Sequence, residues 1–292
     1  MAKKPEFYAT LEPGKLLTIW GQMRAGKSSL ACDIMDKASN YGYNMYTNMH
    51  FFPKDRIQEA IDKDLLLKGV FYKTKPQEIK TVLTGYDLLK NLTKTPSNIV
   101  VMDEMGLITP SSLHSTKQVR WFKSLVYTIG KLNASLILIG QDKGSIIPAL
   151  RETLVNNEVR VYRQGKRRYA DIYRLDRGNE KFIKRMTPIS PTKLPFDSKG
   201  LIKFEFDLDV MWVFNEFANY NSLDLVKKAP IILDEARERF KEQNTKKPKK
   251  ETKTDISFKN WLKFPNDTLS ENAERSGCGT KTSERAKALA KI

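Results

Sequence analysis

The sequence predicts an α/β fold in which a mainly parallel sheet is covered on both faces by helices. Strand-like and helix-like segments alternate along the first half of the chain, to about residue 154. Residues 99–102 and 136–139 are continuously apolar, as central strands buried on both faces are. A glycine-bearing loop at residues 21–28 separates a strand-like from a helix-like segment. Strands that alternate with helices in this way are typical of parallel sheets.

The individual elements follow from short apolar runs, which predict strands, and from longer amphipathic stretches, which predict helices. The predicted strands are residues 16–20, 44–48, 70–73, 99–103 and 135–140. The predicted helices are residues 27–41, 55–63, 76–92, 116–132 and 147–156. The chain has 292 residues, of which 40% are hydrophobic, so it is large enough to bury a core between such layers.

From residue 159 the pattern changes to short strands joined by polar turns. Residues 159–163, 168–175 and 181–186 predict an antiparallel extension of the sheet. We expect residues 1–195 to form the core with this extension, and residues 196–243 to form a helical or mixed extension. Residues 244–256 are predicted to be a basic linker, since they are rich in lysine and contain a proline.

The last segment, residues 257–292, is predicted to be small and helical. Residues 269–286 have the pattern of two helices separated by a glycine turn. That spacing is compatible with a helix-turn-helix that contacts DNA, and equally with an αα-hairpin of another role.

The loop between the first strand and the first helix matches the Walker A pattern for phosphate binding. We predict that it binds nucleotide through Gly21, Gln22, Met23, Arg24, Ala25, Gly26, Lys27, Ser28 and Ser29. The two glycines let the backbone curl, so that its N–H groups and the positive end of the helix face a polyphosphate. Lys27 is expected to reach the β- and γ-phosphates, and Ser28 to hold Mg²⁺.

An apolar strand that ends in two carboxylates supplies the second part of the predicted site. Residues 98–102 are followed by Asp103 and Glu104, as in a Walker B strand. Asp103 is expected to hold Mg²⁺, and Glu104 to act as the general base for the attacking water. The pair alone is equally compatible with a polar strand end, but its combination with Walker A favours hydrolysis. We expect ATP rather than GTP, because the guanine-reading Asn-Lys-x-Asp pattern is absent.

Two further residues are candidates for contacts in the transition state. Gln141 follows the apolar strand 135–140, where it can sense the γ-phosphate and the attacking water or simply cap the strand. Arg151 is a candidate for insertion into a neighbouring subunit's site, where it would stabilise developing charge. The alternative for Arg151 is an ordinary position on a helix surface.

These motifs resemble those of the HerA/FtsK group of P-loop ATPases, over roughly residues 11–163. Residues 139–143 and 150–152 are also similar to the N-terminal domain of zonula occludens toxin-like proteins. The resemblance implies a RecA-like (ASCE) P-loop NTPase core, a homo-oligomeric ring and translocation of DNA, as in viral DNA-packaging ATPases. It also implies that Glu104 is the catalytic glutamate, Gln141 the strand-end glutamine and Arg151 the arginine finger.

One departure from the resemblance concerns membranes. Zonula occludens toxin-like proteins usually carry a transmembrane segment after the ATPase domain, whereas no apolar run here approaches 18 residues. That difference favours the DNA-packaging relatives over the membrane-anchored ones.

The charge of the chain indicates a polyanionic partner. Its 51 lysines and arginines exceed its 34 acidic residues, which gives a formal net charge of +17. Double-stranded DNA is the first candidate partner. The candidate contacts lie on a predicted turn and in the linker, which could also be only a solvated tether: Lys166, Arg167, Arg168, Lys246, Lys247, Lys249 and Lys250.

The cysteines and histidines of the chain indicate its cellular compartment and the metal that it is expected to bind. The two cysteines lie far apart and the start of the chain has no secretory h-region, so we expect a cytoplasmic protein, in the host cytoplasm or associated with the virion if the protein is viral. The two histidines are isolated in sequence, so the expected metal is Mg²⁺ alone.

Together these features predict an ATP-hydrolysing DNA translocase or packaging motor of a virus or mobile element, with a capsid or other assembly partner. Two alternatives stay open. One is a nucleotide-switched DNA-binding or partition protein, and the other is a phage or virion assembly or extrusion ATPase.

Overall fold

The structure is a computed structural model. In it the chain forms two units, residues 1–241 and residues 242–292. The structure describes residues 14–95, 97–104, 117–142, 155–176, 179–186, 189–197, 204–245, 256–257, 259–260, 263 and 268–290.

The first unit contains an eight-stranded sheet. Its strands are β1 (Leu16–Trp20), β2 (Asn44–Thr47), β3 (Ile79–Thr81), β4 (Asn98–Met102), β5 (Ala134–Gly140), β6 (Val155–Gln164), β7 (Arg167–Asp176) and β8 (Asn179–Met186). The described helices along the chain are α1 (Lys27–Ser39), α2 (Ile57–Asp62), which follows a 3₁₀ turn, α3 (Gly85–Leu92), α4 (Lys117–Lys131), α5 (Val210–Ala218), α6 (Ser222–Thr245), α7 (Leu269–Ser276) and α8 (Thr280–Ala290).

The strand order confirms the predicted fold class, an α/β fold with a mainly parallel sheet and an antiparallel extension. The order is β3-β2-β4-β5-β1-β6-β7-β8. The six strands from β3 to β6 run parallel, and β7 and β8 continue the sheet in antiparallel pairing. Because β5 lies between β4 and β1, the residues that follow these three strands meet at one edge of the sheet.

Both faces of the sheet are buried, which explains the continuously apolar strands. Successive side chains of a strand point to opposite faces. In β1, Leu16 belongs to one core, whereas Leu17 and Ile19 belong to the other. The first core is closed by α3, α4, α5 and α6, and the second contains α1 together with Ile189 and Leu194.

The structure corrects the predicted elements around the edge strand β3. The strand was expected at residues 70–73 but forms at Ile79–Thr81, where it pairs in parallel with Met45–Thr47 of β2. The helix expected at residues 76–92 therefore begins only at Gly85. Its start is fixed by Thr84, whose side chain accepts a hydrogen bond from the backbone N–H of Asp87 at 3.1 Å.

One other predicted boundary is also wrong. The helix expected at residues 147–156 is contradicted at its end, because Val155 already belongs to β6 and pairs with Leu16 of β1. Residues 143–154 lie outside the described part of the chain. The region expected at residues 196–243 as a helical or mixed extension contains α5 and the long α6, within which Pro230 lies.

A segment at residues 189–197 closes one end of the second core. Backbone hydrogen bonds join Phe52 N–H to Pro195 O at 2.7 Å and Asp197 N–H to His50 O at 2.8 Å. Another joins Ile189 N–H to Arg168 O of β7 at 2.9 Å. These bonds fix the segment, called the wall segment below, beside the loop that follows β1.

In the second unit, α7 and α8 are joined by a turn at Gly277, which adopts the left-handed conformation with φ 59°. A capping box between Thr268 and Glu271 starts α7. The fully buried Asn272 accepts hydrogen bonds from Ser257 Oγ at 2.6 Å and from Ser283 Oγ at 3.1 Å, so a polar contact ties α7 to α8.

None of the helices in the described parts of either unit is long and apolar enough to cross a membrane.

Candidate nucleotide-binding site

The Walker A loop connects β1 to α1 at the edge of the sheet where β1, β4 and β5 end. Gly26 is the N-cap of α1 and adopts φ 106°, a conformation that favours glycine. Gly21 passes so close to β6 that a Cβ there would lie 1.9 Å from the carbonyl oxygen of Val161. The two glycines of the motif are therefore required by the backbone path itself.

Lys27 lies buried at the centre of the loop. Its Nζ donates hydrogen bonds to Gly21 O at 2.7 Å and to Gln22 O at 3.0 Å. Burial lowers the pKa of this ammonium group, and the nearby carboxylates of Glu104 and Asp103 oppose the effect. The ammonium is thus held over the loop, where it can exchange its carbonyl contacts for phosphate oxygens.

Asp103 lies directly beside the loop, as its position after β4 predicts. Its carboxylate is hydrogen-bonded to the side chain of Ser28 and accepts a bond from the backbone N–H of Glu104 at 2.8 Å. Burial raises the pKa of Asp103, while those two hydrogen bonds lower it.

Asn48, at the end of β2, is a site residue that no motif of the sequence indicates. Its Nδ2 donates to Asp103 O at 3.0 Å, and its Oδ1 accepts from Asp103 N–H at 2.7 Å. This pair of bonds fixes the backbone of Asp103. The available signal was a polar residue at the end of a predicted strand, which is weak by itself.

Glu104 and Gln141 lie together, because they follow the neighbouring strands β4 and β5. The Nε2 of Gln141 donates to Glu104 Oε2 over 3.5 Å, which is a long contact. Glu104 adopts φ 54°, the left-handed region that non-glycine residues rarely enter. Strained backbone of this kind is frequent at functional sites.

The residues around Asp103 fit a magnesium ion. Mg²⁺ prefers oxygen ligands and usually keeps several waters, with one or two carboxylates and the phosphates of the substrate. Ser28 and Asp103 supply a hydroxyl and a carboxylate in direct contact. Within the described residues, no group of three or more His, Cys, Asp or Glu side chains could hold a metal by itself.

A cleft of about 880 Å³ opens over the Walker A loop and contains Glu104 and Gln141 in its lining. Three groups of residues form the rest of its surface. One is the wall segment, with Pro191, Thr192, Leu194 and Phe196. The second is residues 64–68 with Tyr72, and the third is the pair Arg163 and Arg168 from the hairpin of β6 and β7.

The remaining predicted residues fall into three groups. Met23, Arg24 and Ser29 line the cleft, while Gln22 is exposed and Ala25 is buried beneath the loop. Of the basic turn, Lys166 and Arg167 are exposed, whereas Arg168 is half-buried in the cleft. Arg151 and the four linker lysines lie outside the described residues: Lys246, Lys247, Lys249 and Lys250.

Replacing Asn48 with Ala is expected to destabilise the protein. The substitution leaves the partly buried N–H of Asp103 without its partner, which costs about 1–3 kcal/mol of unfolding free energy. Denaturant unfolding measures the loss. Asn91→Ala is a matched control, because the side-chain amide of Asn91 donates an exposed hydrogen bond to Asp87 O within its own helix. Equal stability of the two variants would contradict the role given to Asn48.

Comparisons with known proteins give low similarities. No protein-family model and no curated protein sequence matches the chain. Among solved structures, the flagellar accessory protein FlaH from Methanocaldococcus jannaschii is similar with a TM-score of 0.40 at 14% identity, over 67% of this chain and 96% of FlaH. B204, the DNA-packaging ATPase from Sulfolobus Turreted Icosahedral Virus, is similar with a TM-score of 0.40 at 14% identity, over 59% of this chain and 98% of B204. Similarities this low establish neither family nor function.

Proposed function

We propose that this chain is a Mg²⁺-dependent ATPase. The observation that carries the proposal is the convergence of Lys27, the bonded pair Ser28 and Asp103, and Glu104 in one cleft. A phosphate-binding loop alone would support binding only. Glu104 is a second carboxylate in the same cleft, and it is not one of the predicted ligands of the metal. It supports hydrolysis, because it can accept the proton of an attacking water.

The chain's own residues divide the work of the reaction. Lys27 and the backbone N–H groups of the loop bind the phosphates and stabilise their charge in the transition state. When bound by Ser28 and Asp103, Mg²⁺ supplies further neutralisation of that charge. Glu104 takes the proton from water, and the amide of Gln141 orients Glu104 or the water. The apolar residues Leu65 to Leu67 beside Tyr72 suit a nucleobase.

We further propose that hydrolysis drives the movement of double-stranded DNA through a homo-oligomeric ring, for a virus or mobile element. The net charge of +17 supports a polyanionic substrate. The exposed Lys166 and Arg167 at the hairpin tip are candidate contacts with DNA phosphates. In this proposal Arg151 acts on the site of the neighbouring subunit, in the cytoplasm, with a capsid or other assembly partner.

A second candidate is a nucleotide-switched DNA-binding protein. The observation that favours it is the pair α7 and α8 with its left-handed turn at Gly277, since two helices joined by such a turn can place one helix against DNA. In that case hydrolysis only resets the assembly of the protein on DNA, and no DNA is translocated.

Turnover of ATP with and without double-stranded DNA separates these functions. A motor is expected to hydrolyse ATP several times faster with DNA, to lose this stimulation as salt rises, and to form rings with ATP in sizing experiments. Heparin, added at the same total negative charge as the DNA, is the control for a stimulation of turnover that any polyanion would cause. A chain that stays monomeric with ATP and ignores DNA would remove the motor proposal, and DNA binding without faster turnover would favour the switch.

A further inference from the structure

We propose that Arg168 binds the phosphate chain of the nucleotide held by the Walker A loop of the same chain. This role rests on the proposed nucleotide binding and extends it, because the phosphate site then comprises two separate parts of the sequence. It also gives Arg168 a different role from the DNA contact that its basic neighbours suggest.

The first support is the position of the Arg168 side chain. A Cβ at Gly26 would lie 3.0 Å from Arg168 Cδ and 3.7 Å from both Nε and Nη1. The aliphatic stem therefore lies against Gly26, the N-cap of α1, and the guanidinium group is next to it. Helix N-termini with free N–H groups attract anions. The cation and the helix end consequently face the same volume.

The second support is that this guanidinium has no charged or hydrogen-bonding partner among the residues that the structure describes. Two other arginines of the antiparallel extension form ion pairs, Arg160 with Glu158 and Glu180, and Arg185 with Asp171. Across the described residues, by contrast, Arg168 forms neither a hydrogen bond nor an ion pair through its side chain. Lys27, Lys68 and Arg163 also line the cleft, where cations outnumber the two carboxylates of Asp64 and Glu104. A concentration of cations around one cleft is stabilised by a bound anion.

The third support is the rigid placement of Arg168. It pairs with Arg163 across the hairpin, and its carbonyl oxygen accepts a hydrogen bond from Ile189 N–H of the wall segment at 2.9 Å. β7 is an interior strand between β6 and β8. A guanidinium fork held in this way suits phosphate oxygens, which it can bind through two parallel hydrogen bonds.

The test measures the affinity of the full chain for ATP and for inorganic triphosphate, each with Mg²⁺, by calorimetry. Arg168→Ala is expected to weaken both affinities about 10- to 100-fold, the value of a charge-assisted hydrogen bond. Arg168→Lys keeps the charge without the guanidinium fork. Its affinities are expected to lie between those of the wild type and those of Arg168→Ala. Arg174→Ala is the matched control, because Arg174 is an exposed arginine on the same strand.

The outcomes are distinct. An Arg168→Ala protein that binds ATP like the wild type overturns the inference and leaves the proposed ATPase intact. Weaker ATP binding with unchanged binding of triphosphate also overturns it, because Arg168 would then act on the base or ribose. A wild-type chain that binds no ATP overturns the proposed function and this inference together. Should Arg168→Ala fail to fold, Arg168→Lys decides, with weaker triphosphate binding expected and wild-type binding contradictory.

Discussion

Replacing Glu104 with Gln is expected to lower ATP turnover about 10²- to 10⁴-fold, the usual contribution of a general base. The amide keeps the size and hydrogen-bonding capacity of the side chain but cannot accept the proton of the attacking water. The hydrogen bonds of Lys27 to the loop and the bonded pair of Ser28 and Asp103 do not involve this side chain. ATP should therefore bind with nearly unchanged affinity while hydrolysis is lost.

Single-turnover measurements with ATP, combined with direct binding, test this separation of binding from chemistry. Glu59→Gln makes the same chemical change at an exposed carboxylate that pairs with Lys63 on its own helix turn, so turnover should be unaffected there. Retained turnover in Glu104→Gln would assign the base to another residue. Lost ATP binding would mean that the Glu104 carboxylate supports the loop, and the hydrolytic role would then lack its evidence.

The parts of the fold that the sequence predicts well are those determined by local contacts. The Walker A loop lies between a strand and a helix that are its immediate neighbours, and the glycines are required by its own backbone. The central strands β4 and β5 are predicted correctly because burial on both faces leaves only apolar residues in them. The positions of Asp103, Glu104 and Gln141 then follow from the ends of these strands.

The errors concern features set by distant pairing. Only three residues form the edge strand β3, and they are fixed by parallel pairing with β2, which no local pattern reveals. Asn48 is recognised as a site residue only through its bonds to Asp103, which lies 55 residues away in sequence. Arg168 lies beside basic residues in sequence, but the pairing of β1 with β6 and of β6 with β7 brings it to Gly26.

Replacing Lys27 with Ala is the second large effect that we expect, and it should differ from Glu104→Gln by weakening binding as well as chemistry. Loss of the ammonium removes a preorganised charge from the phosphates in both the ground state and the transition state. Losing one such group lowers turnover about 10²- to 10³-fold. Lys37→Ala is the matched control, because Lys37 lies on the same helix but is exposed and paired with Asp33.

Stability measurements separate this functional loss from misfolding. Burial lowers the pKa of Lys27, so the unfolded chain binds this proton more tightly than the folded chain does. The charge therefore opposes folding at every pH below the unfolded pKa of about 10.4, and the penalty disappears as pH rises through that value. Removing Lys27 should leave the unfolding temperature at pH 7 equal to or above that of the wild type, although nucleotide binding is lost. A lower unfolding temperature would show that the bonds from Lys27 to Gly21 O and Gln22 O hold the loop together, which would make Lys27 a structural residue as much as a phosphate ligand.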